Sequence, residues 1–534
     1  MTASRPAVPA KATRREWVGL GVLALACLLY VMDLTVLHLA VPKLSADLAP
    51  TSAQLLWIID IYGFLVAGSL VTMGTLGDRI GRRRLLLIGA AAFGAVSILA
   101  ALSTSAEMLI LSRALLGIAG ATLAPSTLSL IFHMFQNPRE RTTAIGVWIG
   151  AFSAGSAIGP VLGGVLLEFF WWGSVFLLAV PVMAALLLLG PRVLPEYRDP
   201  DAGRLDLLSA AMSVAAVLAI IFGLKQIAQD GLGPTAVTAV LIGVVVGVAW
   251  VRRQLHSTDP MIDVSLFRIR TFNAALAVNF FAIFVAVGYF LFIAQYLQLV
   301  VGLSPLEAGL WSLPSAFGFI VGSQAAPRIV GRVRPAHLIG GGLALGSVGL
   351  LALTQVGVTG GLAALVVASV VISLGLAPVF GLTTELIVGS APPERAGAAS
   401  GISETAAELG GALGIAVLGS IGVAIYRADV AADLPPGVPA TAAASARDTL
   451  GGAVAAAAEL PGSVGAALLD VAREAFVAGM HVTSAIAVVI ALVVAGLALV
   501  ALRSTGAPPG SSAAEGAQGE SMPAAAAARL EPAD

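Results

Sequence analysis

Charge is scarce in this 534-residue chain: 11% of its residues are Asp, Glu, Lys or Arg, against 58% hydrophobic. Soluble globular chains carry about 25% charged residues. A surface with so little charge cannot be solvated as a whole, so most of it must face lipid. The 29 basic and 30 acidic residues nearly cancel, to a formal net charge of −1. That balance argues against a nucleic-acid partner. The single cysteine, Cys27, excludes an internal disulfide framework and a cysteine-rich metal site. The histidines, His38, His133, His256, His337 and His481, are scattered without an i, i+4 pair, which argues against zinc. There is no G-x4-G-K-[ST] loop and no convergent His/Cys set. ATP-driven pumping and enzymatic chemistry are both disfavoured, and no cofactor or metal is expected.

What the chain does have is long apolar runs. A hydrocarbon core of about 30 Å needs roughly 20 apolar residues in a helix. Fourteen such runs can be marked, near 17–42, 53–76, 84–103, 107–131, 141–167, 172–190, 205–228, 234–251, 272–299, 305–329, 335–356, 360–388, 397–426 and 476–502. Helices are required because lipid offers backbone groups no partners, and barrel strands would alternate in polarity. The first run is too long for a signal peptide and no small-residue cleavage site follows, so it reads as a retained span.

With the N-terminus placed in the cytoplasm, 23 of the 29 basic residues fall on the inner side. Only Lys43, Lys225, Arg427, Arg447 and Arg473 fall outside, and Arg113 lies within a span. This asymmetry supports cytoplasmic termini and an even number of spans. The expected organisation is an N-tail 1–16, a six-helix bundle 17–190 and a linker 191–271 with two extra spans. A second six-helix bundle, 272–502, includes an outer loop 427–475. The Ala-rich runs Ala442–Ala446 and Ala453–Ala458 suggest short helices in that loop, between proline breaks. The Gly/Pro/Ser/Ala-rich tail 503–534 reads as disordered. Two similar halves around a central site are a common transporter plan.

Two motifs stand out. The loop Gly74-Thr75-Leu76-Gly77-Asp78-Arg79-Ile80-Gly81-Arg82-Arg83-Arg84 combines turn-permitting glycines with an aspartate among arginines. Positive-inside anchoring explains the arginines but not the aspartate. A contact cluster made in one conformation and broken in another explains both. The fifth run carries Gly146, Gly155, Gly159, Pro160, Gly163 and Gly164, which let a neighbouring backbone approach closely. Ordinary small-residue packing is the plainer alternative.

These stretches resemble two signatures of the major facilitator superfamily, its loop 2–3 motif and the fifth-span motif associated with antiporters. Leu109-x3-Arg113-x3-Gly117-x2-Gly120-Ala121 and Asp33-x-Thr35-Val36-x4-Val41-Pro42 match two more. With fourteen spans, the resemblance is to the drug/proton antiporter branch. Leu56-Trp57-Ile58-Ile59-Asp60-Ile61-Tyr62 and Trp172-Gly173-Ser174-Val175-Phe176-Leu177 look like the quaternary-ammonium and methyl-viologen exporters. It implies an all-α membrane fold of two six-helix bundles plus two central helices. It also implies alternating access, with Gly74, Asp78, Arg79, Gly81 and Arg82 as a conformational switch.

Ionisable residues inside a bilayer are expensive and mark function by default. Asp33 lies about 14 Å from the outer end of its span, Asp60 about 10 Å and Arg113 about 9 Å. They form a candidate proton-coupling set. Glu404 and Glu408 are one turn apart on one face of span 13. With Asp60, Trp57 and Tyr62 they suit a lipophilic cation through Coulomb and cation–π attraction. Structural alternatives stay open: Asp33 pairing with Arg113 to hold the bundle, and Asp60 or Glu404 sitting in interfacial water. Some relatives carry an acid near the position of Phe319, but this chain has none between Glu307 and Glu385, so monocations are favoured over dications. The expected partners are lipid, protons and small cations, and the expected protein is a plasma-membrane monomer conferring multidrug resistance. Export of a neutral antibiotic or secreted metabolite is the alternative on the same fold. A non-transporting receptor is a remote one.

Overall fold

The computed structural model describes residues 11–198, 206–257, 264–330, 332–392 and 396–503. The tail at 504–534, expected to be disordered, lies outside the described residues, as do residues 1–10. Among the described residues every regular element is helical. The first group comprises α1 (Arg14–Leu48), α2 (Ser52–Ile80), α3 (Arg82–Ala101), α4 (Ala106–Gly120), α5 (Leu123–Met134), α6 (Pro138–Phe169), α7 (Ser174–Leu177) and α8 (Ala179–Val193). Two helices follow, α9 (Leu207–Asp230) and α10 (Pro234–His256). The second group comprises α11 (Arg270–Gln295), α12 (Pro305–Val330), α13 (Pro335–Leu353), α14 (Leu362–Ser390), α15 (Ala396–Gly414), α16 (Ser420–Ala432), α17 (Ala440–Asp448), α18 (Leu450–Ala458) and α19 (Gly462–Ala501). Single π-helical turns, Tyr296–Val300 and Ile415–Gly419, extend α11 and α15.

Among the described residues, 11 helical stretches are long and apolar enough to cross a membrane, not fourteen. The difference falls on α6, α9 and α12. These run 32, 24 and 26 residues, as long as their neighbours. Within α6 and α9 the apolar stretches among the described residues are Ile158–Phe169 and Leu207–Gly223.

Local signals set the helix starts. Thr13 and Glu16 form a capping box that starts α1 three residues before the expected span, and Thr51 with Gln54 does the same for α2. Gly81, at φ 110°, makes the break between α2 and α3. The turn expected across Gly74 to Gly81 is therefore narrower: α2 continues through Gly74 and Gly77 and stops only at Gly81. The surroundings of Asp78 and Gly146 lie outside the described residues.

Within each group the helices pack tightly. The α1–α6 seam rests on the glycine series: a Cβ on Gly155 would stand 2.6 Å from the Leu28 carbonyl oxygen, and one on Gly163 2.6 Å from a Val36 methyl. Gly164, next in line, faces the other group instead, with a Cβ position 2.7 Å from the Pro305 carbonyl oxygen. One motif thus serves two seams, α6 against α1 and α6 against α12. The helix continues unbroken through Pro160.

Helix α9 packs on α2 from the first group and on α16 from the second, while α10 packs chiefly on α9 and turns Leu241, Val245 and Val248 outward. At one end of this pair Asp206 caps α9 and pairs with Arg253 at 3.1 Å. Arg253 and Ser209 hold the Asp206 carboxyl down at about 2, so it is ionised at neutral pH.

The stretch 427–475 is shorter as a loop than expected, because α16 runs to Ala432 and α19 begins at Gly462. Between them α17 and α18 form a compact hairpin where the Ala-rich runs lie. The Tyr426 hydroxyl donates to the Ala446 carbonyl at 2.6 Å, and Arg427 pairs with Asp448 at 3.6 Å. Ser52, at the start of α2, donates its hydroxyl to the Asp448 carbonyl, and Gly451 abuts Ser45 of α1. The hairpin thus ties the second group to the first. Burial pushes the Asp448 carboxyl up from its ordinary range, against the pull of Arg427.

Substituting Gly164→Val should pry α6 from α12 and leave the α1–α6 seam intact. Overpacking of this kind destabilises by about 1–3 kcal/mol. Thermal unfolding in detergent should show a lower midpoint than wild type, and an unchanged midpoint would contradict the close approach.

Candidate functional site

The site begins with an arginine that has no access to water. Arg113 on α4 is 1% exposed, and its guanidinium meets Asp33 on α1 at 2.5 Å. Its Nε donates to the Ile58 carbonyl on α2 at 3.2 Å. Its Cζ lies 4.5 Å above the Tyr62 ring and 5.9 Å from the Phe176 ring. A buried guanidinium needs such a cage, because each unpaired donor would forfeit its hydration with nothing in return. The sequence motifs of α1 and α4 are therefore two halves of one ion pair. A small cleft lined by Met32, Val36 and Phe176 opens beside Asp33.

Tyr62 carries the arrangement onward. It is fully buried, and its ring lies 6.2 Å from that of Tyr30 on α1. The Tyr30 hydroxyl donates to Glu408 Oε1 on α15 at 2.5 Å. Asp33, Arg113, Tyr62, Tyr30 and Glu408 thus form one continuous chain from the first group of helices into the second. Glu404 is one helical turn from Glu408 and within coulombic reach of Tyr30 and Cys27. Beside it Trp148 Nε1 donates to Thr127 Oγ1 at 3.1 Å, and Cys27 lies 3.4 Å from the same oxygen.

Asp60 is 1% exposed on α2, which removes the interfacial-water alternative for it. Trp57 packs with Phe64, Ile221, Ala412 and Ala416, between α2, α9 and α15. Tyr30 was missed at the sequence level, although it precedes Asp33 by three residues and so shares its helix face. Among the residues expected to form a conformational switch, Arg79 is exposed. The peptide N–H of Arg82 donates to the Tyr197 carbonyl at 2.9 Å, and Arg83 pairs with Glu196 at 3.4 Å. The segment after α8 is thereby docked under the motif loop. No group of three metal-ligating side chains is placed to hold a metal ion among the described residues.

The family profile of the Major Facilitator Superfamily matches residues 23–415. The chain belongs to the major facilitator superfamily. It is a multi-pass membrane transporter and not an enzyme. It is 45% identical over 489 residues to the multidrug efflux pump LfrA of Mycolicibacterium smegmatis, covering 92% of this chain and 97% of that one. It is 37% identical over 470 residues to the methyl viologen resistance protein SmvA of Salmonella typhimurium, covering 87% and 93%. The tetracenomycin C resistance and export protein of Streptomyces glaucescens is 33% identical over 500 residues, covering 92% and 93%. Among solved structures, a bacterial homologue of the human lysosomal transporter Spinster, inward-facing and unoccupied, superposes with a TM-score of 0.61 at 18% identity. That match covers 93% of this chain and 100% of the other, and it concerns the fold alone.

Asp33→Asn should leave Arg113 buried and uncompensated, a loss of about 3–5 kcal/mol. The melting temperature in detergent should fall markedly. Adding Arg113→Met should recover most of it, since an apolar pair replaces a broken one. A single mutant as stable as wild type would show that the pair does not hold the bundle.

Proposed function

We propose that this transporter exports lipophilic monocations from the cytoplasm in exchange for protons, by alternating access, from a plasma membrane in which both termini are cytoplasmic. The observation that carries the reading is the placement of two sets of acids. Asp33 and its buried arginine lie in one half, and Glu404 and Glu408 on α15 in the other, joined through Tyr30 and Tyr62. The identity to a multidrug efflux pump and to a methyl viologen resistance protein supports drug export.

In this scheme the cation sits against Glu404 and Glu408, with aromatic rings close by. Trp57 shapes the flank of that cavity from the α9 side. A proton arriving at Asp33 or Asp60 changes the charge that Arg113 must balance, which lowers the affinity for the cation. Each charge moved across 100 mV is worth about 2.3 kcal/mol. The switch loop from Gly74 to Arg82 biases the inward- and outward-open states through contacts such as those of Arg82 and Arg83. The transporter works as a monomer with fourteen spans, α6, α9 and α12 crossing with the rest.

A second reading, export of a neutral antibiotic or metabolite, draws on the identity to the tetracenomycin C resistance and export protein. It differs in one requirement, that Glu404 and Glu408 be dispensable.

Ethidium export from efflux-deficient cells separates the two. Wild type should export, an uncoupler should abolish it, and Asp33→Asn and Glu408→Gln should each reduce the rate by about tenfold or more, the scale of one charge-assisted contact. Export that persists with the uncoupler would defeat proton coupling. Full export by Glu408→Gln would defeat the cation site.

A further inference from the structure

An exchanger must not change conformation while empty, since an empty carrier that rocks freely lets cargo leak back. Resting on the exchange reading above, we infer that the Tyr30–Glu408 contact is the lock that prevents this. The bond joins α1 of one half to α15 of the other at 2.5 Å, in the interior where the two halves must part. Tyr30 is 2% exposed, so water does not compete for its hydroxyl.

The chemistry of the bond gives it the required logic. A hydroxyl donating to an ionised carboxylate is roughly twice as strong as a neutral pair. The lock is therefore strong only when Glu408 is charged and carries no cargo. A cation on Glu408 takes the acceptor oxygens and displaces the hydroxyl. A proton passed on from Asp33 or Asp60 to Glu408 removes the charge and weakens the bond. Both productive loads undo the same contact, and the empty, ionised protein keeps it. Tyr30 is thus a positioning residue that acts through Glu408.

The neighbours of Glu408 fit this assignment. Glu404 is one turn away on the same helix, and Asp60 and Tyr62 come from α2. Asp33 and Arg113 lie behind Tyr62 and neutralise each other. The other helices packed on α15 bring one charge each, Arg270 at the start of α11 and Glu385 in α14. Among the described residues, the Tyr30 hydroxyl is the donor to the Glu408 carboxylate. The π-helical turn Ile415–Gly419 begins seven residues after Glu408, a local departure from the regular α-helix of the kind frequent at functional sites.

The test needs no cargo. Spin labels are placed on Leu102→Cys at the end of α3 and Gln355→Cys after α13, both exposed. Cys27 is 1% exposed and stays unlabelled. Distances between the labels are measured by electron double resonance on the purified, substrate-free protein. At alkaline pH the parent should give one narrow distance, and at acid pH two. Tyr30→Phe and Glu408→Gln should each give the two-distance pattern already at alkaline pH, with the population ratio shifted about tenfold. The double variant should match either single one, because both remove the same bond. Tyr30→Phe keeping the narrow alkaline distance would overturn the lock, as would a further shift in the double variant. Should Tyr30→Phe fold poorly, Glu408→Gln against the parent's pH series decides alone: an alkaline distance that stays single would overturn the lock as well. A protein that exports no ethidium would end the cargo reading and leave these distances to judge the lock on their own.

Discussion

Hydrocarbon neither gives nor accepts a hydrogen bond, and the whole architecture follows from that. It forces the backbone into helices. It makes glycine the residue of choice where two helices approach, since dispersion between backbones replaces the hydrophobic drive that water would supply. It also makes any charge inside the bundle dependent on a partner. Arg113 shows the extreme case, held by a carboxylate, a carbonyl and two aromatic faces at once.

That dependence explains the distribution of polar groups. Away from the centre, hydroxyls mostly fold back on carbonyls of their own helix, as Ser112, Ser347 and Thr483 do. Near the centre they reach across. Tyr30, Thr127 and Trp148 all bond to side chains of other helices. A reach of that kind commits two elements to each other, and where they belong to different halves it commits the halves.

Much of this was legible in the sequence, for reasons that differ by residue. Asp33 and Arg113 stood out because a charge in an apolar run is improbable without a partner, and their depths agreed. The glycine series of α6 announced close packing through its spacing, but not that Gly164 faces α12 while Gly155 faces α1. The Ala-rich runs gave short helices, but not the grip of those helices on Ser45 and Ser52. Tyr30 escaped because a tyrosine among leucines carries no signal of its own. Only the fold brings its hydroxyl to Glu408. Trp57 packs toward both α9 and α15, which its place one turn before Asp60 did not disclose.

The α17–α18 hairpin is held chiefly through main-chain oxygens: Ser52 bonds to the carbonyl of Asp448 and Tyr426 to that of Ala446. A clasp built on carbonyls is indifferent to most of the letters that spell it. Its water-facing residues are free to drift as long as two short helices and a tight turn persist. An insertion that kept those helices would preserve the grip, whereas a single proline within α18 would release it. Comparison of such segments letter by letter would then understate how much geometry they share.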